Sequence, residues 1–167
     1  MKPIQSLTRE ELDRLIAEAA KHSTRDALMF RVTFNHGLRV TEAVTLSDAN
    51  VINGYLTVDR EKNSNDTTQR ILADEQELLT MKGKFFPISR VTFWRRMQDY
   101  GLAAGLPEHK CHPHALRHTT GRLAYKGGLG VAEIQSILGH KNGGNSMIYM
   151  QADESEAYAA FAAAVGK

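Results

Sequence analysis

The chain has 167 residues, of which 42% are apolar and 24% are charged. This composition is ordinary for a globular protein and excludes a disordered chain, a collagen-like repeat and a disulfide scaffold. The length predicts one domain over residues 1–167. The sequence contains one cysteine, Cys111, which cannot form an internal disulfide, and this favours a reducing, cytoplasmic location.

No part of the sequence approaches the roughly 18 to 20 consecutive apolar residues that span a membrane. The most apolar stretch, residues 158–165, is short and mostly alanine. The N-terminal region carries Glu10, Glu11 and Asp13 and lacks the apolar segment of a signal peptide. We therefore predict that the protein has no membrane partner.

The charge of the chain is unevenly distributed. The formal net charge is only +2, but residues 82–126 hold nine basic side chains against Asp99 and Glu108, together with four of the seven histidines. Such a segment can face a polyanion such as DNA, and a solvated basic surface explains the charge equally well. The basic side chains that we predict to contact DNA are Arg90, Arg95, Arg96, Lys110 and Arg122.

Hydrophobic periodicity and turn signals predict an α+β fold that is mostly helical, with a small three-stranded antiparallel sheet. Gly37 is placed to end the second helix, and Asn53-Gly54 is the preferred two-residue turn of a β-hairpin over residues 51–58. The third strand is predicted near residues 70–72. The predicted helices cover approximately residues 9–21, 25–36, 41–45, 74–81, 89–104, 114–126, 131–138, 146–150 and 154–165.

Several short segments carry side chains suited to chemistry. His114 and Arg117 are three residues apart on a predicted helix, so they share a face. Taken singly, each segment is also compatible with a purely structural role. In chain order the segments are Gly37-Leu-Arg39-Val-Thr-Glu42, Lys62 in a polar loop, His114-Ala-Leu-Arg117, Leu138-Gly139-His140 and Ile148-Tyr149.

Taken together, these segments resemble the catalytic domain of the tyrosine recombinases, the phage integrase family. The resemblance covers about residues 6–155. It implies a tyrosine recombinase-like catalytic fold and a site-specific recombinase that cleaves and rejoins double-stranded DNA through a 3′-phosphotyrosyl intermediate. The family order of Arg, Lys, His-x-x-Arg, His and Tyr corresponds here to Arg39, Lys62, His114 with Arg117, His140 and Tyr149.

The chemistry of phosphodiester cleavage gives each of these residue types a task. Arg39 and Arg117 can neutralise the charge that attack adds to the nonbridging oxygens. A tyrosine hydroxyl is a weak nucleophile at neutral pH, so Tyr149 needs a base, for which His114 is the candidate. His140 can donate a hydrogen bond to the phosphate, and Lys62 can protonate the leaving 5′-oxygen. Because the covalent link conserves the bond energy, we predict that no ATP, metal or other cofactor is needed.

Some of these assignments have rivals. Arg60 and Arg70 flank the loop that holds Lys62, so these arginines are alternatives to Lys62 for the basic position. Glu42 is predicted to be a structural partner of an arginine, and His118 to be a packing residue of its helix. Cys111 and the neighbouring histidines suggest a zinc cluster, but their spacing matches no common zinc motif.

Three other functions stay open at this point. A type IB topoisomerase uses the same set of residues to relax DNA, and a degenerate copy would be a DNA-binding module without catalysis. A metal-dependent nuclease is disfavoured because the sequence shows no clustered carboxylates.

The chain departs from the family in two places. Residues 141–146 include two glycines, which predict a flexible connection that lets Tyr149 lie away from the site when no DNA is bound. The catalytic pattern begins almost at once, so the chain is either an excised catalytic domain or one of the shorter members that lack the preceding DNA-clamping domain. We favour excision, and expect DNA binding that is weak and strongly salt-dependent. The resemblance also implies self-association on DNA. In the family the C-terminal tail often docks on a neighbouring protomer, and the sequence leaves open whether this alanine-rich helix docks on its own protomer or on a neighbour.

Overall fold

A computed structural model describes residues 4–150 and 154–166. The fold is mostly helical with one small antiparallel sheet, as predicted. In chain order the α-helices are α1 (Arg9–His22), α2 (Thr24–Asn35), α3 (Val40–Thr45), α4 (Arg90–Ala103), α5 (Pro113–Lys126), α6 (Val131–Leu138), α7 (Gly144–Met147) and α8 (Glu154–Ala164). Single turns of 3-10 helix cover Asp48–Asn50, Glu108–Lys110 and Ile148–Met150, and a longer 3-10 segment covers Ala73–Leu79.

The sheet consists of β1 (Val51–Ile52), β2 (Tyr55–Val58) and β3 (Thr67–Arg70), which pair in that order. Asn53 and Gly54 form the predicted turn, and both have a positive φ. The third strand lies three residues earlier than the predicted start at residue 70. The reason is the register: Tyr55, the first residue of β2, pairs with Arg70, so the ladder cannot extend further.

The helix predicted at residues 74–81 is instead the 3-10 segment Ala73–Leu79. Its regularity is broken at Glu75, whose φ of −135° is not helical. The fully buried carboxylate of Glu75 accepts hydrogen bonds from the backbone of Leu72 and from His36 Nε2, which lies 2.6 Å away. Tertiary contacts at Glu75 therefore override the local helical pattern.

Helix α5 carries the middle of the predicted site and is surrounded by other elements. It packs against α2 and α4 on the side of the main core and against α6 on the other side. The core between α1, α2 and α4 includes the buried side chains of Leu15, Phe30 and Phe93. A smaller apolar cluster joins Ile134 and Leu138 of α6 to Tyr149. The site thus lies on a helix that is fixed on several sides.

The side chain of Arg60 ties three distant segments together. It follows β2 and is fully buried. Because its planar guanidinium offers five N–H donors in a fixed geometry, it can bond several acceptors at once. Its acceptors are Thr67 Oγ1 (3.0 Å), Gly37 O (3.2 Å), Glu42 Oε2 (2.9 Å), His36 O (2.8 Å) and Ile137 O (3.3 Å).

We expect Arg60→Leu to destabilise the fold by about 3–5 kcal/mol, because Glu42 loses a buried partner and several carbonyls lose their donor. Arg60→Lys should recover only part of this loss, since one ammonium group cannot reach all of these acceptors. Urea unfolding measures the change. Arg70→Leu, which removes an exposed arginine of β3, is the control and should change stability by no more than about 0.5 kcal/mol. An equally small effect of Arg60→Leu would contradict this role.

Candidate active site

The two arginines predicted from distant parts of the sequence share one site. Arg117, on α5, is 2% exposed. Its Nη1 donates to the carbonyl of Gly37, and its Nη2 donates to the carbonyl of Leu138 at 3.0 Å. Arg117 therefore joins the segment that contains Arg39 to the segment that precedes His140.

Arg39 lies at the N-terminus of α3 and is held by two carboxylates. Its Nη1 is 3.0 Å from Glu42 Oε1, and its Nε is 3.6 Å from Glu61 Oε2. The side chain is 23% exposed, so it can still meet a ligand from solvent. Glu42 also binds Arg60, which confirms the prediction that Glu42 is a structural partner of an arginine.

Three positive charges surround Glu42 and keep it ionised. Burial alone would raise the pKa of this carboxyl. The backbone N–H groups of Arg39 and Glu61 and the charges of Arg60 and Arg117 outweigh burial, and the pKa lies below its ordinary value. Burial and the nearby arginines lower the pKa of Arg117 to about 10, which leaves its guanidinium charged at neutral pH.

His140 follows α6 and is nearly buried, at 8% exposure. Its Nδ1 is 2.8 Å from Ser146 Oγ, at the beginning of the segment that leads to the tyrosine. Burial, and then the charges of Arg117, Arg39 and Arg60, lower the pKa of His140 to about 4. The imidazole is therefore neutral at pH 7 and keeps one N–H for donation.

Lys62 is exposed in the loop between β2 and β3. That loop is fixed beside the site, because Asn65 N donates to Gly139 O at 2.8 Å and Ser64 forms an isolated bridge with His140. Among the described residues, no hydrogen bond or ion pair engages the Lys62 ammonium group. Arg60, the alternative two residues earlier, is buried and bonded to internal acceptors, so it is not placed to protonate a leaving group.

Tyr149 lies at the site, and the expectation that it lies away from it is wrong. Its side chain is 1% exposed, and its ring packs directly on Gly121, one turn along α5 from Arg117. The hydroxyl is 2.9 Å from His118 Nδ1. Burial raises the pKa of this phenol above its ordinary value, while the charges of Arg117 and Arg39 oppose the rise.

The glycines of residues 141–146 do not detach the tyrosine, because other contacts hold this segment. Arg122 Nη1 donates to Tyr149 O at 3.2 Å, and Ser146 is tied to His140. The helix predicted at residues 146–150 is therefore divided into α7 and the 3-10 turn Ile148–Met150.

The histidine that contacts Tyr149 is His118, which the sequence predicts to be a packing residue. No hydrogen bond joins His114 to Tyr149 in the described part of the chain. The ring of His114 instead lies edge-on to that of His118, with 4.8 Å between centroids. The signal for His118 was present in the sequence, since His114 and His118 are four residues apart and share a helix face.

The side chains predicted to contact DNA fall into two groups. Arg90 and Arg95 are exposed on α4. The other three have partners within the fold: Arg96 pairs with Asp26, Lys110 pairs with Glu11 at 2.8 Å, and Arg122 binds the backbone of Tyr149.

The side chains in the described part of the chain do not form a metal site. Among residues 4–150 and 154–166, no three or more His, Cys, Asp or Glu side chains are grouped in a way that could hold a metal ion. Cys111 is buried, and its Sγ contacts the carbonyl of Pro107. Within the same ranges, every helix is too short or too polar to cross a lipid bilayer.

Comparison with known proteins places this arrangement in a family. A model of the phage integrase family matches residues 5–156. The chain belongs to the phage integrase family. This confirms the resemblance predicted from the motifs.

The relatives of this integrase-family chain include tyrosine recombinase XerA of Pyrococcus furiosus, which is 32% identical over 164 residues. That match covers 87% of this chain and 56% of the relative, so the chain spans about half the length of the curated relatives it matches.

Solved structures agree with the fold. A crystal structure of XerA recombinase has a TM-score of 0.78 at 24% identity and covers 95% of this chain and 63% of that one. The Tn1549 transposon integrase, in complex with transposon right end DNA, has a TM-score of 0.77 at 15% identity, with coverages of 100% and 68%.

We expect Gly121→Ala to displace the Tyr149 ring, because the added Cβ would lie 2.6–2.7 Å from three of its ring atoms. The helix itself gains up to about 1 kcal/mol from the replacement of glycine, so the effect should be local. Nitration by tetranitromethane, mapped by mass spectrometry, should modify Tyr149 faster in the variant. Gly127→Ala, at the end of the same helix, is the control. Equal nitration of Tyr149 in both variants would contradict this packing.

Proposed function

We propose that this chain is the catalytic part of a site-specific DNA recombinase that cleaves and rejoins double-stranded DNA through Tyr149. The observation that carries the proposal is the position of Tyr149, whose ring packs on Gly121, one turn along α5 from Arg117. Arg117 is in turn bonded to the segment that contains Arg39. A phosphodiester bound by these guanidinium groups would lie beside Tyr149, whose hydroxyl can form a covalent bond to phosphorus. The activity named for the relatives supports the same reaction.

The proposed step balances without a cofactor. The Tyr149 oxygen forms a bond to phosphorus as its proton passes to a histidine of α5. The bond from phosphorus to the 5′-oxygen breaks, and the 5′-oxygen takes a proton from Lys62. Arg39, Arg117 and His140 stabilise the charge on the nonbridging oxygens. Attack by a 5′-hydroxyl from another strand on the phosphotyrosine reverses the step and completes the exchange.

The state of the groups at neutral pH suits this division of tasks. Arg117 is charged, and His140 is neutral with an N–H to donate. The exposed ammonium of Lys62 lies in a loop that is joined to the His140 segment, so it can approach a phosphate held there. Arg90 and Arg95 are the side chains that we propose for contacts with the DNA backbone. The sequence-based prediction of a cytoplasmic location fits a DNA substrate.

A trapping experiment tests the nucleophile. Duplexes selected from a randomised pool by binding to this chain are nicked near the cleavage position, so that cleavage releases a short strand and traps the adduct. In EDTA the parent should form a covalent protein–DNA adduct, and Tyr149→Phe should form none while binding the duplex normally. Tyr125→Phe is the matched control and should keep the adduct.

If Tyr149→Phe still forms the adduct, the assignment of Tyr149 as the nucleophile is wrong. Cleavage that vanishes in EDTA would favour a metal-dependent nuclease instead. Binding without an adduct in the parent would favour a non-catalytic module, and relaxation of supercoiled plasmid without strand exchange would favour a topoisomerase.

We further propose that copies of this chain associate on DNA through α8. The side chains of Tyr158, Phe161 and Val165 are 72%, 56% and 47% exposed. Tyr158 and Phe161 contact each other, with 5.9 Å between ring centroids, and together offer an apolar surface. Exposed aromatic clusters of this kind are typical of protein contacts.

We expect the double change Tyr158→Asp and Phe161→Asp to weaken cooperative binding to a two-site duplex by at least about tenfold. Binding to a duplex with one site should not change, because α8 is assigned to a contact between protomers. Gel-shift titration with both duplexes separates the two effects. Loss of binding to the single site would show that α8 acts within its own protomer.

A further inference from the structure

The contact between His118 and Tyr149 is built into the fold. His118 Nδ1 lies 2.9 Å from the Tyr149 hydroxyl oxygen, and the two rings are tilted with centroids 5.9 Å apart. The tyrosine ring can reach this position only because Gly121 has no Cβ. Arg122 holds the backbone of Tyr149 from the same helix. Three successive features of α5 therefore place this phenol against this imidazole.

The chemistry of the two groups fixes the direction of the hydrogen bond. A neutral imidazole has one bare nitrogen and one N–H, and a buried phenol O–H requires an acceptor. With the proton on Nε2, the bare Nδ1 of His118 accepts the bond from Tyr149. The ring of His114 contacts that of His118, and no hydrogen bond in the described part of the chain joins it to the hydroxyl. Because His114 is exposed, it is placed to meet solvent or a ligand.

We propose that His118 is a further catalytic residue, whose Nδ1 takes the phenolic proton as Tyr149 attacks the phosphate. The inference rests on the proposed function and assigns to His118 the task that the motif assigns to His114. The Tyr149 oxygen-to-phosphorus bond forms as its O–H bond breaks, and the proton moves to Nδ1. The electron pair of the broken phosphorus-to-oxygen bond leaves with the 5′-oxygen. In resealing, the imidazolium of His118 returns its proton to Tyr149.

The surroundings of His118 make this base dependent on the substrate. Burial lowers the pKa of His118 to about 4, and the charges of His114, His112, Arg117 and His140 act in the same direction. A phosphodiester bound beside Arg117 brings a negative charge that offsets this repulsion and raises the affinity of Nδ1 for a proton. A bound phosphate therefore strengthens this base.

Two variants of His118 test the proposal on the nicked duplex described above. His118→Ala should slow adduct formation by about 10²–10⁴-fold, the usual contribution of a general base. His118→Asn keeps an amide near the Nδ1 position, which can accept a hydrogen bond but cannot take a proton, and should be slowed similarly. His109→Ala, an exposed histidine outside α5, is the control. A parent-like rate for either His118 variant would overturn the proposal.

Chemical changes to the nucleophile and to the leaving group distinguish a general base at His118 from a purely structural role. A 3,5-difluorotyrosine at position 149 is a more acidic phenol, so it should restore part of the rate lost in His118→Ala. A 5′-phosphorothiolate substrate has a leaving group that needs no acid, so it should rescue Lys62→Ala but not His118→Ala. The opposite pattern would assign His118 to the leaving group and overturn the proposal. Misfolded variants cannot produce either selective rescue.

A measurement without DNA tests the hydrogen bond itself. Nitrogen-15 NMR of the parent should show His118 with a bare Nδ1 and a protonated Nε2, and the signal should shift in Tyr149→Phe. A protonated Nδ1 would overturn the assignment. If the parent protein forms no adduct, both the proposed function and this inference are wrong. If His118→Ala forms the adduct at the parent rate, only this inference is wrong.

Discussion

The site depends on holding positive charges together in a place from which water is largely excluded. Arg39, Arg60 and Arg117 would repel one another, and each would lose hydration on burial. Glu42 supplies the compensating charge, and the carbonyl of Gly37 accepts hydrogen bonds from both Arg60 and Arg117. Arg60 is fully buried among internal partners, whereas the side chain of Arg39 is 23% exposed. We therefore propose that Arg39 meets the phosphate, with the charge of the buried Arg117 close behind it.

The same contacts explain why the site is assembled from distant segments. The carbonyls of Gly37, Ile137 and Leu138 each receive a guanidinium N–H, so the end of α2 and the end of α6 are fixed to α5 and to the strand β2. The buried pair of His36 and Glu75 anchors the end of α2 from the other side. These internal hydrogen bonds therefore fix the backbone segments that carry Arg39, Arg117 and His140.

Much of this could be predicted from the sequence, and the failures have physical causes. Local sequence rules correctly predict features that depend on neighbouring residues only. These are the end of α2 at Gly37, the Asn53-Gly54 turn, and the shared helix face of His114 and Arg117. The break at Glu75 and the contact of His118 with Tyr149 depend on partners 39 and 31 residues away, which periodicity does not report. The glycines before Tyr149 indicated freedom, but long-range contacts to that segment decide where the ring lies.

We propose that the phenol of Tyr149 forms the covalent bond to a phosphate held by Arg39 and Arg117. The most direct measurement is to digest the trapped protein–DNA adduct and locate the nucleotide remnant by mass spectrometry. The account predicts a 3′-nucleotide on the peptide that contains Tyr149, attached through its phenolic oxygen. A remnant on another tyrosine, on a histidine or on a serine would contradict it.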